Sequence, residues 1–418
     1  MGRGFAGAAV IGLCLAGAPA GALAAERGLA LCPAAPARAC AAAGPGYEAD
    51  PVRRALVGRG YRALWTAPVE VPLLDLAEAV GGLAPIRVVG GGQSENLALR
   101  GADGRAYTFR PLEKDLSRLV SPTLQRAVPR LRRLVRDQGA ALHPGATVLA
   151  SALGRAAGLL EPELRLVALP DDARLGTFRA RFAGRLGTLG EHPTPAAEGR
   201  AGTFGATEIV DTETLVARLD EGGGACVDAR AYLRARLVDL VVGDADRHPG
   251  NWRWARVPGR AGWQPLPEDR DLAFARFGGA LLRLVKPFAP LLVTFDEGYE
   301  IERLAHEARA LDERFLAPMS AAAWDVEARA LQRALAPAAL DEAFARLPRA
   351  WQRADGGWLR RTLEARVAAL PAAAAALRAL VVAGVPAPAP RASDPTAPAA
   401  RHAAHARGHG AGLRPGGR

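Results

Sequence analysis

Two acidic segments at the ends of apolar elements limit what this chain can fold into more than any other feature. The first reads Gly243-Asp244-Ala245-Asp246-Arg247-His248-Pro249-Gly250-Asn251-Trp252 and follows a helix predicted over 232–242, with Leu233, Leu237, Leu240 and Val241 on its buried face. The second reads Pro267-Glu268-Asp269-Arg270-Asp271-Leu272-Ala273-Phe274 and closes a hairpin predicted over 251–257 and 263–266, around a Pro258-Gly259 turn. Carboxylates gathered where apolar elements end are costly unless a cation shares the site. Magnesium suits such a place, because it takes carboxylate and amide oxygens and keeps phosphate oxygens as further ligands.

The spacing narrows the chemistry. Phosphoryl transfer to a hydroxyl needs a carboxylate to accept the proton, and an Asn and an Asp to hold metal on the phosphates. Asp246 and Asn251 could supply the carboxylate and the amide, and Asp269 follows across the hairpin as a second ligand would. The Asp-Arg-His-x-x-Asn segment resembles the catalytic loop of atypical kinases, among them phosphatidylinositol 4-kinases, HipA-type toxin kinases, secretory-pathway kinases and spore-coat CotH kinases. Asp-Arg-Asp-Leu-Ala-Phe is similar to the metal-binding motif of the lipid kinases. The resemblance implies Asp246 as catalytic base, Asn251 and Asp269 as metal ligands, Asp271 as a further ligand, and Arg247 and His248 as residues that orient the loop or the phosphates. It also implies ATP and Mg²⁺ (or Mn²⁺) as donor and cofactor.

A β-meander is predicted upstream: 86–89 runs into Gly90-Gly91-Gly92, then 96–100 and 106–110 follow around a Gly101-Ala102-Asp103-Gly104 turn. The glycine triplet reads either as a phosphate-covering turn or as an ordinary hairpin turn. Tyr107-Thr108-Phe109-Arg110-Pro111 is similar to the Phe-Lys-Pro strand of lipid kinases, with Arg110 at the place of the nucleotide-binding lysine. Arg and Lys are not interchangeable at a phosphate, so the role falls to Arg110 or to Lys114, on the same strand face if the strand continues. Asp137 on the next helix is the expected acidic partner of that cation, with Glu113 as the alternative.

Strands first and helices after give an α+β, two-lobed layout, which the resemblance implies is a protein-kinase-like fold with a β-rich N-lobe over 69–170 and a mostly helical C-lobe over 171–385. Helices are predicted throughout 299–380, broken near Pro318, Pro337 and Pro348. Residues 26–68 read as an irregular lead-in, and 386–418 as a disordered Pro/Ala/Arg/His tail.

Arg3, the apolar stretch 5–23 and Ala22-Leu23-Ala24 read as a secretory signal peptide over 1–25, which implies a secreted or periplasmic protein. Cys32 and Cys40 then close a short loop that could be oxidised, and Cys226 is left over. After the leader no uninterrupted apolar run is long enough to span a bilayer, so no transmembrane segment is expected in the mature chain. The net charge of +11 is carried almost wholly by arginine, Lys114 and Lys286 being the only lysines. These arginines are dispersed along helices near acidic residues, so no specific nucleic-acid site is expected. The partner is an unknown hydroxyl-bearing acceptor: a protein, a lipid or a small molecule. Two other readings compete. One is a non-catalytic pseudokinase or binding protein of the cell envelope. The other is a metal-dependent phosphatase with Asp244-x-Asp246 as its nucleophile motif, which wants Thr or Val where His248 stands.

Overall fold

The computed structural model describes residues 29–32, 35–90, 95–114, 135–222 and 224–384. The expected leader over 1–25, Gly91, Gly92 and the expected tail over 386–418 lie outside the described residues.

The described part of 26–68 contains regular strands and helices, where an irregular lead-in was expected. Strands β1 (Ala30–Cys32), β2 (Ala35–Ala42) and β3 (Pro68–Pro72) form an antiparallel sheet in that order, and a Cys32–Cys40 disulfide clips β1 to β2. Between β2 and β3 stand α1 (Pro51–Val57), N-capped by the Asp50 side chain, and α2 (Arg62–Thr66). Tyr47, Tyr61, Leu64 and Trp65 from this region bury themselves in the main core. The Ala-rich strand lacks the β-branched and aromatic residues that announce a strand, and helices this short show no period.

The N-lobe sheet contains β4 (Leu83–Val89), β5 (Asn96–Gly101), β6 (Ala106–Pro111), β7 (Arg165–Leu169) and β8 (Arg185–Glu191), all antiparallel, in the order β4-β5-β6-β8-β7. Leu97, Leu99, Phe109 and Leu189 alternate onto one face against Phe182 and Leu175. The expected meander is present. The lobe boundary expected at 170 falls inside this sheet, because β8 returns to pair with β6. Two glycines in Arg185-Leu-Gly-Thr-Leu-Gly-Glu disguise that strand as a turn. Gly187 is required there, since a Cβ would come within 2.5 Å of the Phe109 ring.

A helix over Ala146–Ala156 (α3) leads towards the C-lobe. There β9 (Glu208–Asp211), β10 (Trp252–Arg256) and β11 (Trp263–Pro267) make a small antiparallel sheet around the expected hairpin. The helices are α4 (Thr212–Asp220), α5 (Ala229–Val242), α6 (Arg309–Leu316), α7 (Ala321–Ala334), α8 (Pro337–Phe344) and α9 (Gly357–Gly384). Helix α5 is the axis of the lobe: Leu233, Leu237, Leu240 and Val241 are fully buried, and α7 and α9 pack on it. Asp228 caps its start, and Gly243 in the left-handed region (φ 72°) ends it.

By length and composition, the helical stretch Arg349–Gly384 is apolar enough to cross a membrane. The sequence expectation missed it because Arg366 and Arg378 interrupt the apolar run. In the fold one stripe of it (Leu359, Leu363, Leu370 and Leu377) lies in the core, and buried Arg366 donates to the Leu240 and Val241 carbonyls.

Candidate active site

Helix α5 delivers the first acidic loop directly. Gly243 turns the chain, and the Asp244 N–H bonds back to the Asp239 carbonyl. Asp246 emerges half-buried. Its carbonyl accepts the Asn251 side-chain amide at 2.6 Å, which leaves the Asn251 side-chain oxygen without a protein partner among the described residues. His248 accepts the Gly250 N–H on Nδ1 (3.0 Å), so its remaining ring N–H is Nε2, 3.8 Å from Asp246 Oδ1. The second loop is tied to the first through the Glu268 N–H, which donates to the Asn251 carbonyl at 2.9 Å. Base and amide candidates therefore share one frame with the Asp269 loop. Because Asp244 follows a helix instead of a strand, the phosphatase reading has no strand end on which to place its nucleophile.

Two cations reach down from the β-lobe. Arg110 on β6 pairs with Asp269 at 2.5 Å, and Lys114 pairs with Asp271. Strand β6 stops at Pro111, so Lys114 stands beyond the strand and not on its face. Asp269 holds φ at 58°, a left-handed conformation uncommon for a residue with a side chain and typical of functional loops. Burial pushes its carboxyl upward, but Lys114, Arg110 and Arg247 outweigh it and hold the group below the usual carboxylate range. Burial lowers the Lys114 amine in turn, with Asp269 resisting.

Asp137 does not partner either cation. It is buried and takes Arg62 at both carboxylate oxygens (2.9 and 2.5 Å) and Arg53 at 2.6 Å, which ties α1 and α2 of the lead-in to the following segment. Glu113 pairs with Arg136. The acidic partners expected from a helix are supplied by the Asp269 loop itself. Gly90, at the end of β4, has φ 80° and so needs glycine.

Arg247 turns away from the cleft. Fully buried, it stacks on Trp252 at 4.5 Å and donates to Asp239 (3.2 Å), to the Glu268 carbonyl (2.6 Å) and to the Asn251 carbonyl (3.2 Å). It belongs to a network that sequence reasoning missed. Asp239 on α5 also takes Arg270 at 2.8 Å and Arg236 at 2.9 Å. Arg270 continues to Glu161 at 2.5 Å, and Arg236 to Asp312 at 2.9 Å. One buried carboxylate thus anchors both acidic loops. The available signal was Asp239 within the apolar run Leu237-Val238-Asp239-Leu240-Val241-Val242, with Arg236 just before it, since charges are buried in such a place only when paired.

Among the described residues, no group of three His, Cys, Asp or Glu side chains forms a ready-made metal cage. The cleft offers the Asp269 and Asp271 carboxylates and the free Asn251 amide oxygen, an all-oxygen set that suits Mg²⁺ or Mn²⁺. Both carboxylates are neutralised by Arg110 and Lys114, so the site already balances negative charge with cations that phosphate oxygens also accept. Thr108, Arg110, Thr188, Glu191, His192 and Asp269 line the space between the lobes.

A β-sheet lobe sits over a helical lobe, with the Asp246 carboxylate, the Asn251 amide and the Asp269 and Asp271 carboxylates of the lower lobe beneath Arg110 and Lys114 of the upper. The fold is a two-lobed α+β arrangement, a β-rich lobe followed by a mostly helical one. Similar solved structures include the Helicobacter pylori proinflammatory kinase CtkA, at 11% identity over 72% of this chain and 96% of that one, with a TM-score of 0.36. Another is the Shewanella oneidensis MR-1 toxin–antitoxin HipA, HipB and operator DNA complex, at 13% identity over 74% of this chain and 67% of that one, with a TM-score of 0.33. No family model matches the chain, and no curated protein matches it.

Proposed function

We propose that the protein is an exported phosphotransferase that moves the terminal phosphoryl group of a metal-bound nucleoside triphosphate, ATP in the first instance, to a hydroxyl acceptor. The supporting observation is the frame that joins Asp246 to Asn251 and Asn251 to Glu268, beside Asp269 and under Arg110. Asp246 accepts the proton of the attacking hydroxyl as its oxygen bonds to phosphorus and the bond to the nucleoside diphosphate breaks. Arg110 and Lys114 exchange their aspartates for phosphate oxygens. Asn251, Asp269 and Asp271 would hold Mg²⁺ (or Mn²⁺), which would supply positive charge to the phosphates. His248 Nε2 stands 3.8 Å from Asp246 Oδ1, close to the proton acceptor without a direct hydrogen bond to it. The leader and the Cys32–Cys40 disulfide support an oxidising, secreted or periplasmic location. Arg110 at the place of the usual lysine favours a second reading, a nucleotide-binding protein without turnover.

The test is thermal shift and phosphate release with ATP, with and without Mg²⁺ or Mn²⁺, on the chain lacking 1–25. A metal-dependent shift that survives Asp246→Ala and disappears in Asp269→Ala is expected, with turnover lost in both, by about 10²-fold or more for Asp246→Ala. A shift without turnover in the unaltered protein selects the binding reading. A shift with calcium alone and none with nucleotide sinks both.

A further inference from the structure

The segment that leaves the site after Phe274 carries an apolar surface that nothing in the described structure covers. Phe295 returns it to the core by donating to the Ala275 carbonyl at 2.7 Å, and Thr294 caps the Phe277 carbonyl at 2.8 Å. Between these anchors a short helix (Ala280–Val285) and a turn (Lys286–Phe288) contain no buried residue. Leu284 is 68% exposed, Val285 42% and Phe288 83%. The helix packs beside α1, whose Val52 is 65% exposed. The two meet at glycines, where a Cβ on Gly58 would come within 2.7 Å of the Gly278 carbonyl. Most of the large hydrophobic side chains exposed among the described residues therefore cluster on this one edge, whereas scattered single exposures would need no account.

The charge around this edge is basic. Arg283 lies within the segment, and Arg54 and Arg59 line a groove along α1; all three are exposed. Lys286 is held at 2.7 Å by Glu300, and Arg303 fixes the turn through the Lys286 and Ala289 carbonyls, so the tip is braced from beneath. The acids near it are Glu48 and Asp50, the latter engaged in capping α1, and Asp296 and Glu297, which come only after the chain has returned at Phe295.

We propose that this edge is a docking surface for an anionic bilayer, with Leu284, Val285, Phe288 and Val52 entering the acyl boundary and Arg283, Arg54 and Arg59 meeting the headgroups. Protruding apolar side chains ringed by arginine fit an interface of apolar depth and negative surface better than they fit a protein groove. This inference does not depend on the phosphotransferase reading.

The chain from residue 26, which holds every described element and lacks the leader that would itself partition, is tested by co-sedimentation. The probes are phosphatidylcholine vesicles with and without 30% phosphatidylglycerol (roughly the anionic content a polybasic surface responds to). Binding is expected to the anionic vesicles, to weaken at high salt, and to fall about tenfold or more in Leu284→Ser/Phe288→Ser. Arg283→Glu is expected to reduce it about fivefold or more, since each basic residue near the surface carries about one factor of that size. Both variants alter exposed side chains, so an unchanged unfolding temperature shows that the loss is one of docking. No binding to anionic vesicles overturns the proposal. So does equal binding of the double variant, or a concentration-dependent dimer that the double variant abolishes without any vesicle binding.

Discussion

Two sets of ion pairs lie a few residues apart in this protein, and they obey different physics. Below the site, Arg236, Arg247 and Arg270 meet Asp239, Asp312 and Glu161 with almost no exposure. Across the cleft, Arg110 and Asp269 retain 32% and 41% of their side-chain exposure. A buried charge must keep its partner, because losing it leaves an uncompensated ion in a medium that cannot solvate it. A half-exposed pair is screened, and can give up its partner at little cost. The first set is suited to hold geometry, and the second to yield to an arriving ligand. Arg247 and Arg270, which in the sequence stand beside the functional aspartates, belong to the first.

The largest effect should come from the carboxylate at the centre of the buried set. Asp239→Asn leaves Arg247, Arg270 and Arg236 short of a counter-ion at once, and the expected loss of stability is about 3–5 kcal/mol. Urea unfolding followed by tryptophan fluorescence reads it. Asp312→Asn breaks fewer contacts, Arg236 and the Tyr232 hydroxyl alone, and should cost less. If Asp239→Asn unfolded at the unaltered midpoint, the buried network would not be what fixes the two loops.

A smaller effect tests the edge between the two sets. Asp244 is fully buried, and its Oδ2 has no hydrogen-bond partner. Burial pushes its carboxyl up to about 7, Arg247 opposes this and Asp239 adds to it. Since the unfolded value is 3.8, the folded state keeps a proton through that window that the unfolded chain has lost. Stability therefore falls as pH rises from about 4 to about 7, by on the order of 2–4 kcal/mol, and is level above. His143 acts in the opposite sense: burial and Arg276 lower its imidazole to about 3, so its contribution falls as pH drops below 6.5. The difference between Asp244→Asn and the unaltered protein separates the two. That difference should favour the variant at pH 8 and vanish towards pH 4. A flat difference would mean that Asp244 is ionised throughout and belongs with the exchangeable charges.

Legibility in the sequence divided along similar lines. That the Asp246–Asn251 loop and the Asp269 loop lie side by side was legible, because a single hairpin joins them along one stretch of chain. The meander of β4 to β6 and helix α5 were readable because local periodicity sets them. The partners of Arg110 and Lys114 were not, since pairing across a cleft leaves no trace in spacing; Asp137 looked the better partner until Arg62 was seen to hold it. Arg247 was expected to orient the loop or the phosphates, and its side chain enters the core, where it bonds the Asn251 and Glu268 carbonyls of the two loops. Strand β8 and the lead-in escaped because glycine and alanine are chosen there for close approach and say nothing of strand period.

The weakest effect is the one that decides whether the cleft pairs can yield. Arg110→Gln removes a partner from Asp269, but that carboxylate stays partly hydrated and keeps the field of Lys114. The expected change is under about 1 kcal/mol. It should shrink further in 1 M salt, where the Debye length is about 3 Å. Denaturant midpoints of both proteins at low and high salt measure it. A loss as large as that of Asp239→Asn, insensitive to salt, would make the Arg110–Asp269 pair part of the fixed frame. A phosphate would then have to break it at a cost that binding could not readily offset, and the Lys114–Asp271 pair, more buried at 15% and 20% side-chain exposure, would be held at least as firmly.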